Sequence, residues 1–247
     1  MKNLLSFGAV SAVALVLAAG AAMAFEPETK QPAKPAEAAK PADDHKDHKH
    51  DKKDEKKDAK KETKSTGAKV GESAPDFSGK DFDGKDWKLA DMIKANDAVV
   101  IEWFNPGCPF IVQHHKDAPT FNNLYKEFNG KKVAFVAINS SAPGKEGHGK
   151  ADNVKAKADW KMEYPILNDE TGMIGKMYGA KRTPQVFIIT KDGKVAYEGA
   201  IDNNQDKSKT GDKVVNYVSK ALTEILAGKP VSEAKTESYG CSVKYAK

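Results

Sequence analysis

From residue 70 onward, apolar runs alternate with polar and glycine-containing stretches, a pattern that predicts strands alternating with helices. Runs rich in β-branched and aromatic residues predict buried strands at 98–104, 132–140, 164–169 and 185–190. Asp83-Gly84 predicts the turn of a short hairpin over 74–89. Asp192-Gly193 predicts the turn of a second hairpin over 185–201.

Helical spacing of apolar residues fills the intervals between these strands. Short helices are predicted at 89–95, 151–162 and 171–180. A single helix is predicted from Pro109 to Phe128, with Gly130 as its stop. The strongest amphipathic pattern lies at 211–228, where one face carries Val214, Val218, Leu222 and Leu226. The pattern predicts an α/β fold: a central mixed sheet flanked by helices, with an added N-terminal β-hairpin.

The first 24 residues have the features of a signal peptide. Lys2 precedes an apolar stretch, and Ala22-Met23-Ala24 fits a small-x-small cleavage site before Phe25. The alternative is an uncleaved membrane anchor. We therefore expect a signal peptide at 1–24, export to the periplasm or the exterior, and no stable membrane insertion after cleavage.

Residues 25–69 are polar almost throughout. After Phe25, the stretch to Lys69 contains no aliphatic, aromatic or sulfur-containing side chain larger than Ala and Pro, so we expect a disordered tether. Its three histidines are the basis of a metal-handling alternative, in which Cu or Zn is bound with help from Cys108 and His114 or His115: His45, His48 and His50. The boundaries that follow are a domain at 70–228 and a polar C-terminal tail at 229–247.

The composition restricts the function in two ways. The net charge of +5 is spread among interspersed acids and bases and indicates no partner, and acids and bases nearly cancel along the tether, so it is not a polybasic arm and no nucleic-acid binding is expected. No glycine motif for a nucleotide occurs, so no organic cofactor is expected. The chain has two cysteines, Cys108 and Cys241, which in an oxidising compartment form a structural disulfide, a redox couple or two separate thiols.

Cys108 lies where a predicted strand meets a predicted helix, and Pro109 suits the first helical turn. A cysteine at a helix start is near unpaired N–H groups that stabilise a thiolate, so Cys108 is a candidate reactive thiol. The alternative is an inert buried cysteine. His114 and His115 follow by six and seven positions, and we expect both to be surface polar residues.

Four segments resemble exported redoxins of the alkyl-hydroperoxide-reductase/thiol-specific-antioxidant type, within the thioredoxin superfamily: APDF, IEWFNPGCPF, RTPQVFIITKDGKVAYEG and YGCSVKY. The resemblance implies a thioredoxin-like fold. It implies that Thr183 and a cis Pro184 form a substrate-side loop against Cys108, although a trans proline at a strand entrance is the alternative. It also implies that Glu102 relays protons as a buried carboxylate, unless it is a solvent-facing edge residue.

The sequence departs from both related patterns. Ile111 stands where a dithiol motif has its second cysteine, so Cys108 needs another thiol, and Cys241 is the candidate. Peroxiredoxin positions for Pro and Thr hold Ile101 and Asn105, and Arg182 is displaced from the usual Arg position. Asn105 and Arg182 are therefore partial substitutes at best, and efficient peroxide reduction is not expected.

The sequence thus predicts a thiol oxidoreductase in which Cys108 attacks and Cys241 resolves. Its reaction is thiol–disulfide exchange with a protein partner, or slow reduction of a small peroxide, and an external reductant resets the thiols. Cys241 lies in a polar tail beyond the last predicted helix, and we expect this tail to be able to swing over the active site. Two alternatives stay open: Cys241 is free or is a permanent staple to Cys108, or the domain is an interaction module without turnover.

Overall fold

The computed structural model of this chain describes residues 67–247. The elements from the start of this region to the second central strand are β1 (Ser78–Lys80), β2 (Asp86–Lys88), α1 (Leu89–Ala95), β3 (Ala98–Trp103), α2 (Pro109–Val112), a π-helical turn (Gln113–Asp117), α3 (Thr120–Phe128), a 3₁₀ turn (Asn129–Lys131) and β4 (Val133–Asn139). The remaining elements are α4 (Lys150–Asp159), β5 (Ile166–Asn168), α5 (Met173–Tyr178), β6 (Arg182–Thr183), β7 (Val186–Thr190), β8 (Val195–Gly199), a 3₁₀ turn (Gly211–Lys213), α6 (Tyr217–Leu226) and β9 (Cys241–Ser242).

The central sheet has five strands in the order β5-β4-β3-β7-β8. β3 pairs in parallel with β4 and antiparallel with β7, so the sheet is mixed. β1 and β2 form a separate antiparallel hairpin, as the Asp83-Gly84 turn predicted. The α/β class, the mixed sheet and the N-terminal hairpin are all confirmed.

Alternating side chains of β3 divide the core into two layers. Val100 and Phe104 pack with residues of α3 and α6 on one face, whereas Ile101 and Trp103 pack with residues of α1 and α5 on the other. The strand is fully buried because helices cover both faces. The side chain of Glu102 therefore points into the first layer, where no solvent reaches it.

The prediction of one helix over 109–128 is wrong. The first helical turn widens into the π turn at Gln113–Asp117, and the chain becomes extended at Ala118 before α3 begins. Pro119 is the reason, because proline has no N–H to donate and disfavours the helical conformation in the residue before it.

The helix predicted at 211–228 begins later than predicted, at Tyr217. The Asn216 side chain accepts the Ser219 N–H at 2.9 Å and caps the helix there.

The structure differs from expectation in two places: the end of the segment assigned to the tether is packed, and the polar tail forms a strand. Ala68 is buried, and its N–H donates to the carbonyl of Tyr178 at 3.1 Å, so the packed chain begins before Val70. The tail contributes β9, which pairs with β6.

The signal peptide and residues 25–66 of the tether lie outside the described residues. None of the helices between residues 67 and 247 has the length and apolar character needed to cross a bilayer.

Candidate active site

Cys108 occupies the turn between β3 and α2. It is the N-cap residue of α2, Pro109 takes the first helical position, and the Cys108 N–H donates to the carbonyl of Asn105 at 3.0 Å. The side chain is 1% exposed. The sulfur therefore lies at the start of a helix and is almost completely shielded from solvent.

The loop before β7 meets this sulfur. The Thr183–Pro184 peptide bond is cis, as the resemblance implied. The carbonyl oxygen of Thr183 lies 3.0 Å from the Cys108 Sγ and accepts a hydrogen bond from the thiol. The cis-proline loop therefore lies directly against the Cys108 thiol.

The C-terminal tail delivers the second sulfur to the same place. β9 pairs antiparallel with β6, so that Cys241 lies opposite Thr183. The Sγ atoms of Cys108 and Cys241 are 2.8 Å apart, although 133 positions separate the two residues along the chain. Both are free thiols in this structure. A disulfide bond is about 2.05 Å long, so a movement of less than about 1 Å forms one.

Aromatic and backbone contacts hold the tail on both sides of Cys241. Upstream, Tyr239 is 8% exposed and its hydroxyl donates to Asp202. Downstream, the Val243 N–H donates to Lys181 at 3.1 Å and the Tyr245 hydroxyl donates to the Ala180 carbonyl at 2.9 Å. The tail is thus packed on the domain at several points. It does not need to swing in order to bring its thiol to Cys108.

The two thiols are not equivalent electrostatically. Burial, followed by the hydrogen bond and the charge of Cys108, raises the pKa of Cys241 to about 11. Cys241 is half-buried, whereas Cys108 is buried. Cys241 therefore keeps its proton at neutral pH, although its sulfur is the more accessible of the two.

Glu102 lies on β3 and is paired with a histidine. Its two carboxylate oxygens are 3.0 and 3.1 Å from the Nε2 of His115, and both side chains are fully buried. The alternative of a solvent-facing edge residue is wrong, because β3 is the central strand. The other ring nitrogen of His115, Nδ1, lies 3.5 Å from the Tyr164 hydroxyl, whose pKa burial raises well above its usual value.

The prediction that His114 and His115 are surface residues is wrong. They are 1% and 2% exposed, because the π turn directs both rings inward. His115 faces Glu102, and the Nε2 of His114 lies 2.8 Å from the Tyr239 hydroxyl. Their positions three and four residues after the buried Ile111 were a usable signal for this face.

Asn105 and Arg182 lie in different environments near the two thiols. The Asn105 amide donates to Ser141 Oγ at 3.1 Å and to the Glu146 carbonyl at 2.9 Å, and its oxygen accepts from the Gly107 N–H. These bonds fix the turn that carries Cys108. Arg182 is exposed on β6, and its side chain lines a surface depression of about 260 Å³ beside Tyr239 and Gly240.

Comparison with known proteins assigns the family. The profile of the Redoxin family matches residues 69–215. The chain belongs to the Redoxin family. A thiol-disulfide oxidoreductase ResA from Bacillus thuringiensis subsp. konkukian is 30% identical over 136 residues, which cover 55% of this chain and 72% of that protein.

Two solved structures resemble the chain as well. An uncharacterized conserved protein from Geobacillus kaustophilus is 31% identical, with a TM-score of 0.64, and the match covers 74% of this chain and 95% of that one. A thiol:disulfide interchange protein DsbE from Chlorobium tepidum is 24% identical with a TM-score of 0.51, over 64% and 99% of the two chains. Together with the mixed sheet, they make this redoxin domain thioredoxin-like in fold.

Proposed function

We propose that this redoxin is a thiol–disulfide oxidoreductase whose working pair is Cys108 and Cys241. The observation that carries the proposal is the 2.8 Å separation of the two sulfur atoms. The family and the ResA relative support thiol-based redox chemistry. The site adds the second thiol that the missing Cys-x-x-Cys motif would have supplied.

The proposed cycle has two exchange steps. The Cys108 thiolate attacks one sulfur of a partner's disulfide, so a mixed disulfide forms and the partner's first thiolate leaves. Cys241 then loses its proton and attacks the Cys108 sulfur, which forms the Cys108–Cys241 disulfide and releases the partner's second thiolate. The partner gains two electrons, and an external dithiol returns two electrons to this chain.

Glu102 is proposed as the proton relay of this cycle. Cys241, with a pKa of about 11, must lose a proton before it attacks. Glu102, on the strand that leads to the Cys108 turn, forms a buried acid–base pair with His115 of the π turn. A buried carboxylate in this position is suited to accept a proton transiently.

Thr183 and Pro184 are proposed to face the partner. The backbone of Thr183 is paired with Cys241 of the same chain. A partner that uses this edge in an extended conformation therefore has to displace β9. In the disulfide form, the half-buried Cys241 is the sulfur that an incoming thiolate reaches first.

The same pair suits slow reduction of a small hydroperoxide. The Cys108 thiolate would break the O–O bond and become a sulfenic acid, with release of water or an alcohol. Cys241 would then attack that sulfur, forming the disulfide and releasing water. The rate is expected to be low, because the Asn105 amide is already bonded to Ser141 and to the Glu146 carbonyl, and the Arg182 side chain is at the surface.

The metal-handling alternative has no support in the described part of the chain. Between residues 67 and 247, no group of three or more His, Cys, Asp and Glu side chains is arranged to hold a metal ion. His115 is paired with Glu102 and His114 with Tyr239. The histidines of the tether, His45, His48 and His50, lie outside the described residues.

We also propose that the protein acts outside the cytoplasm. The support is the signal-peptide pattern of residues 1–24, followed by the polar sequence of residues 25–66 before the domain. An oxidising compartment would allow the Cys108–Cys241 disulfide to form and persist. Determining the N-terminal residue of the exported protein tests this, and a first residue other than Phe25 would contradict the cleavage site.

The function is tested by equilibrating the protein in graded thiol–disulfide buffers, alkylating it and mapping its peptides without reduction. A Cys108–Cys241 link that appears and disappears over physiological potentials is the expected result. A link that survives the most reducing buffer would make it a structural staple. If no link forms, the pair is not a redox couple, and an interaction module without turnover becomes the better interpretation.

A further inference from the structure

A buried chain of three polar side chains links the helical region after Cys108 to the tail that carries Cys241. Its members come from three elements: His114 from the π turn, Asp202 from the segment after β8, and Tyr239 from the tail. All three are buried, with exposures of 1%, 5% and 8%. No step of the proposed cycle uses them.

The hydrogen bonds of this chain have a defined direction. The Tyr239 hydroxyl donates its only proton to Asp202 Oδ1 at 2.5 Å. The His114 Nε2, at 2.8 Å, must therefore donate to the Tyr239 oxygen. Burial lowers the pKa of His114 to about 4, so at neutral pH the ring is uncharged and carries its proton on Nε2. The tyrosine hydroxyl is thus held from both sides.

Tyr239 is joined to Cys241 by one tightly packed residue. Gly240 has a φ of +121°, and a Cβ at this position would meet the Thr183 carbonyl and the Pro184 ring. The intervening backbone therefore has little freedom. A displacement of the Tyr239 ring would be transmitted to the Cys241 sulfur, two residues further on.

We infer that His114, Tyr239 and Asp202 are positioning residues that set the effective concentration of the Cys241 thiol at Cys108. The inference rests on the proposed function, because it assigns these residues to the disulfide-forming step. Holding the tail at this point fixes the second thiol before oxidation begins. The entropy cost of restricting Cys241 is then part of folding and does not add to the cost of disulfide formation.

The test measures the equilibrium constant of the Cys108–Cys241 disulfide against glutathione in the full chain. Tyr239→Phe keeps the ring and removes both hydrogen bonds. It is expected to lower the constant about tenfold, which is about 30 mV for a two-electron couple. His114→Leu removes the donor and is expected to act in the same direction, whereas His114→Gln keeps an N–H donor and is expected to stay close to the wild type.

Tyr178→Phe is the matched control. It removes another buried tyrosine hydroxyl, which donates to the Pro75 carbonyl at 2.8 Å and so makes no hydrogen bond with the tail. It is expected to leave the disulfide constant unchanged even if it lowers stability. Because Tyr239→Phe preserves the packing of the ring, that variant decides the question if His114→Leu does not fold.

The outcomes separate this inference from the proposed function. If the wild type forms the disulfide and Tyr239→Phe has the same constant within twofold, the positioning role is wrong while the couple stands. Equal constants for His114→Gln and His114→Leu would also overturn it. If the wild type forms no disulfide at any potential, the proposed function itself fails.

Discussion

Gly240 packs so closely on Thr183 that a Cβ at position 240 would overlap the Thr183 carbonyl oxygen. The same carbonyl accepts the hydrogen bond from Cys108. One backbone group therefore fixes the positions of both thiols: it contacts the sulfur of one and the residue before the other. The 2.8 Å sulfur–sulfur distance depends on this close approach.

Replacing Gly240 by Ala should consequently separate the sulfurs. The added methyl group meets backbone rather than a side chain, and the φ of +121° is strained for any L-residue, so a cost of about 1–3 kcal/mol is expected in the tail's docking. The constant for disulfide formation should fall at least tenfold. Gly228→Ala, at a positive φ but with open space around it, is the control for backbone strain. Equal effects of the two substitutions would show that the close approach has no part.

Replacing Cys241 by Ser should change the oxidation product of Cys108. In the wild type, a hydroperoxide is expected to yield the disulfide, because the second thiol waits 2.8 Å away. Without it, a sulfenic acid at Cys108 has no internal thiol to react with and oxidises further to sulfinic acid. Intact-protein mass spectrometry distinguishes a loss of two hydrogens from a gain of two oxygens. Turnover with a dithiol reductant should fall at least 100-fold, and sulfinic acid in the wild type at a similar rate would contradict the arrangement.

Replacing Glu102 by Gln should slow exchange more than it destabilises the fold. The Gln side chain keeps an oxygen for the His115 N–H but cannot take up a proton, so a loss of about 100-fold in exchange rate is expected at neutral pH. Stopped-flow measurement with a model disulfide gives the rate, and urea unfolding gives the stability. Asp169→Asn is the control, since Asp169 is another buried acid and is bonded to Ser140 and to N–H groups of α5. A rate close to that of the wild type in Glu102→Gln would remove Glu102 from the mechanism.

The buried His114 predicts acid sensitivity. Burial lowers its pKa from 6.5 to about 4, against the opposing charge of Asp202 and with smaller contributions from His115 and Lys207. Between these two values the unfolded chain binds more protons at this site than the folded chain. The free energy of unfolding should therefore fall as the pH drops from 6.5 to 4, by about 3 kcal/mol at most from this residue, with no further loss below that. In His114→Gln the dependence should be weaker over the same range, and parallel curves for the two proteins would contradict the assignment.

The core of the fold could be predicted from local pattern. The strands at 98–104 and 185–190 consist mainly of β-branched and aromatic residues, and a segment of this composition is most stable as a buried strand. The helix over 109–128 failed because Pro119 interrupts a spacing that is otherwise helical. The helical spacing of apolar residues also included Val214 in the last helix, but the Asn216 cap makes α6 begin three residues later, at Tyr217.

The site was predictable only where the sequence resembles its family. Cys108 and Thr183-Pro184 came from short motifs, whereas the position of Cys241 depends on contacts made by a polar tail. Residues 229–247 carry little periodicity, so nothing local indicates that Tyr239 and Tyr245 are packed on the domain. Pairing between residues 133 positions apart is a property of the whole fold.

The separation of the two cysteines along the chain also makes the stability of the domain depend on whether they are oxidised or reduced. Because 133 positions separate them, a bond between the sulfurs closes all of the domain that follows β3, as far as β9, into one covalent ring. Closing a ring of this size restricts the unfolded chain by on the order of 5 kcal/mol in the chain-entropy description. The oxidised protein should therefore outlast heat and proteases, whereas each arrival of reducing equivalents opens the ring and leaves the domain easier to unfold. The lifetime of the protein would then depend on how much reductant the surrounding compartment contains.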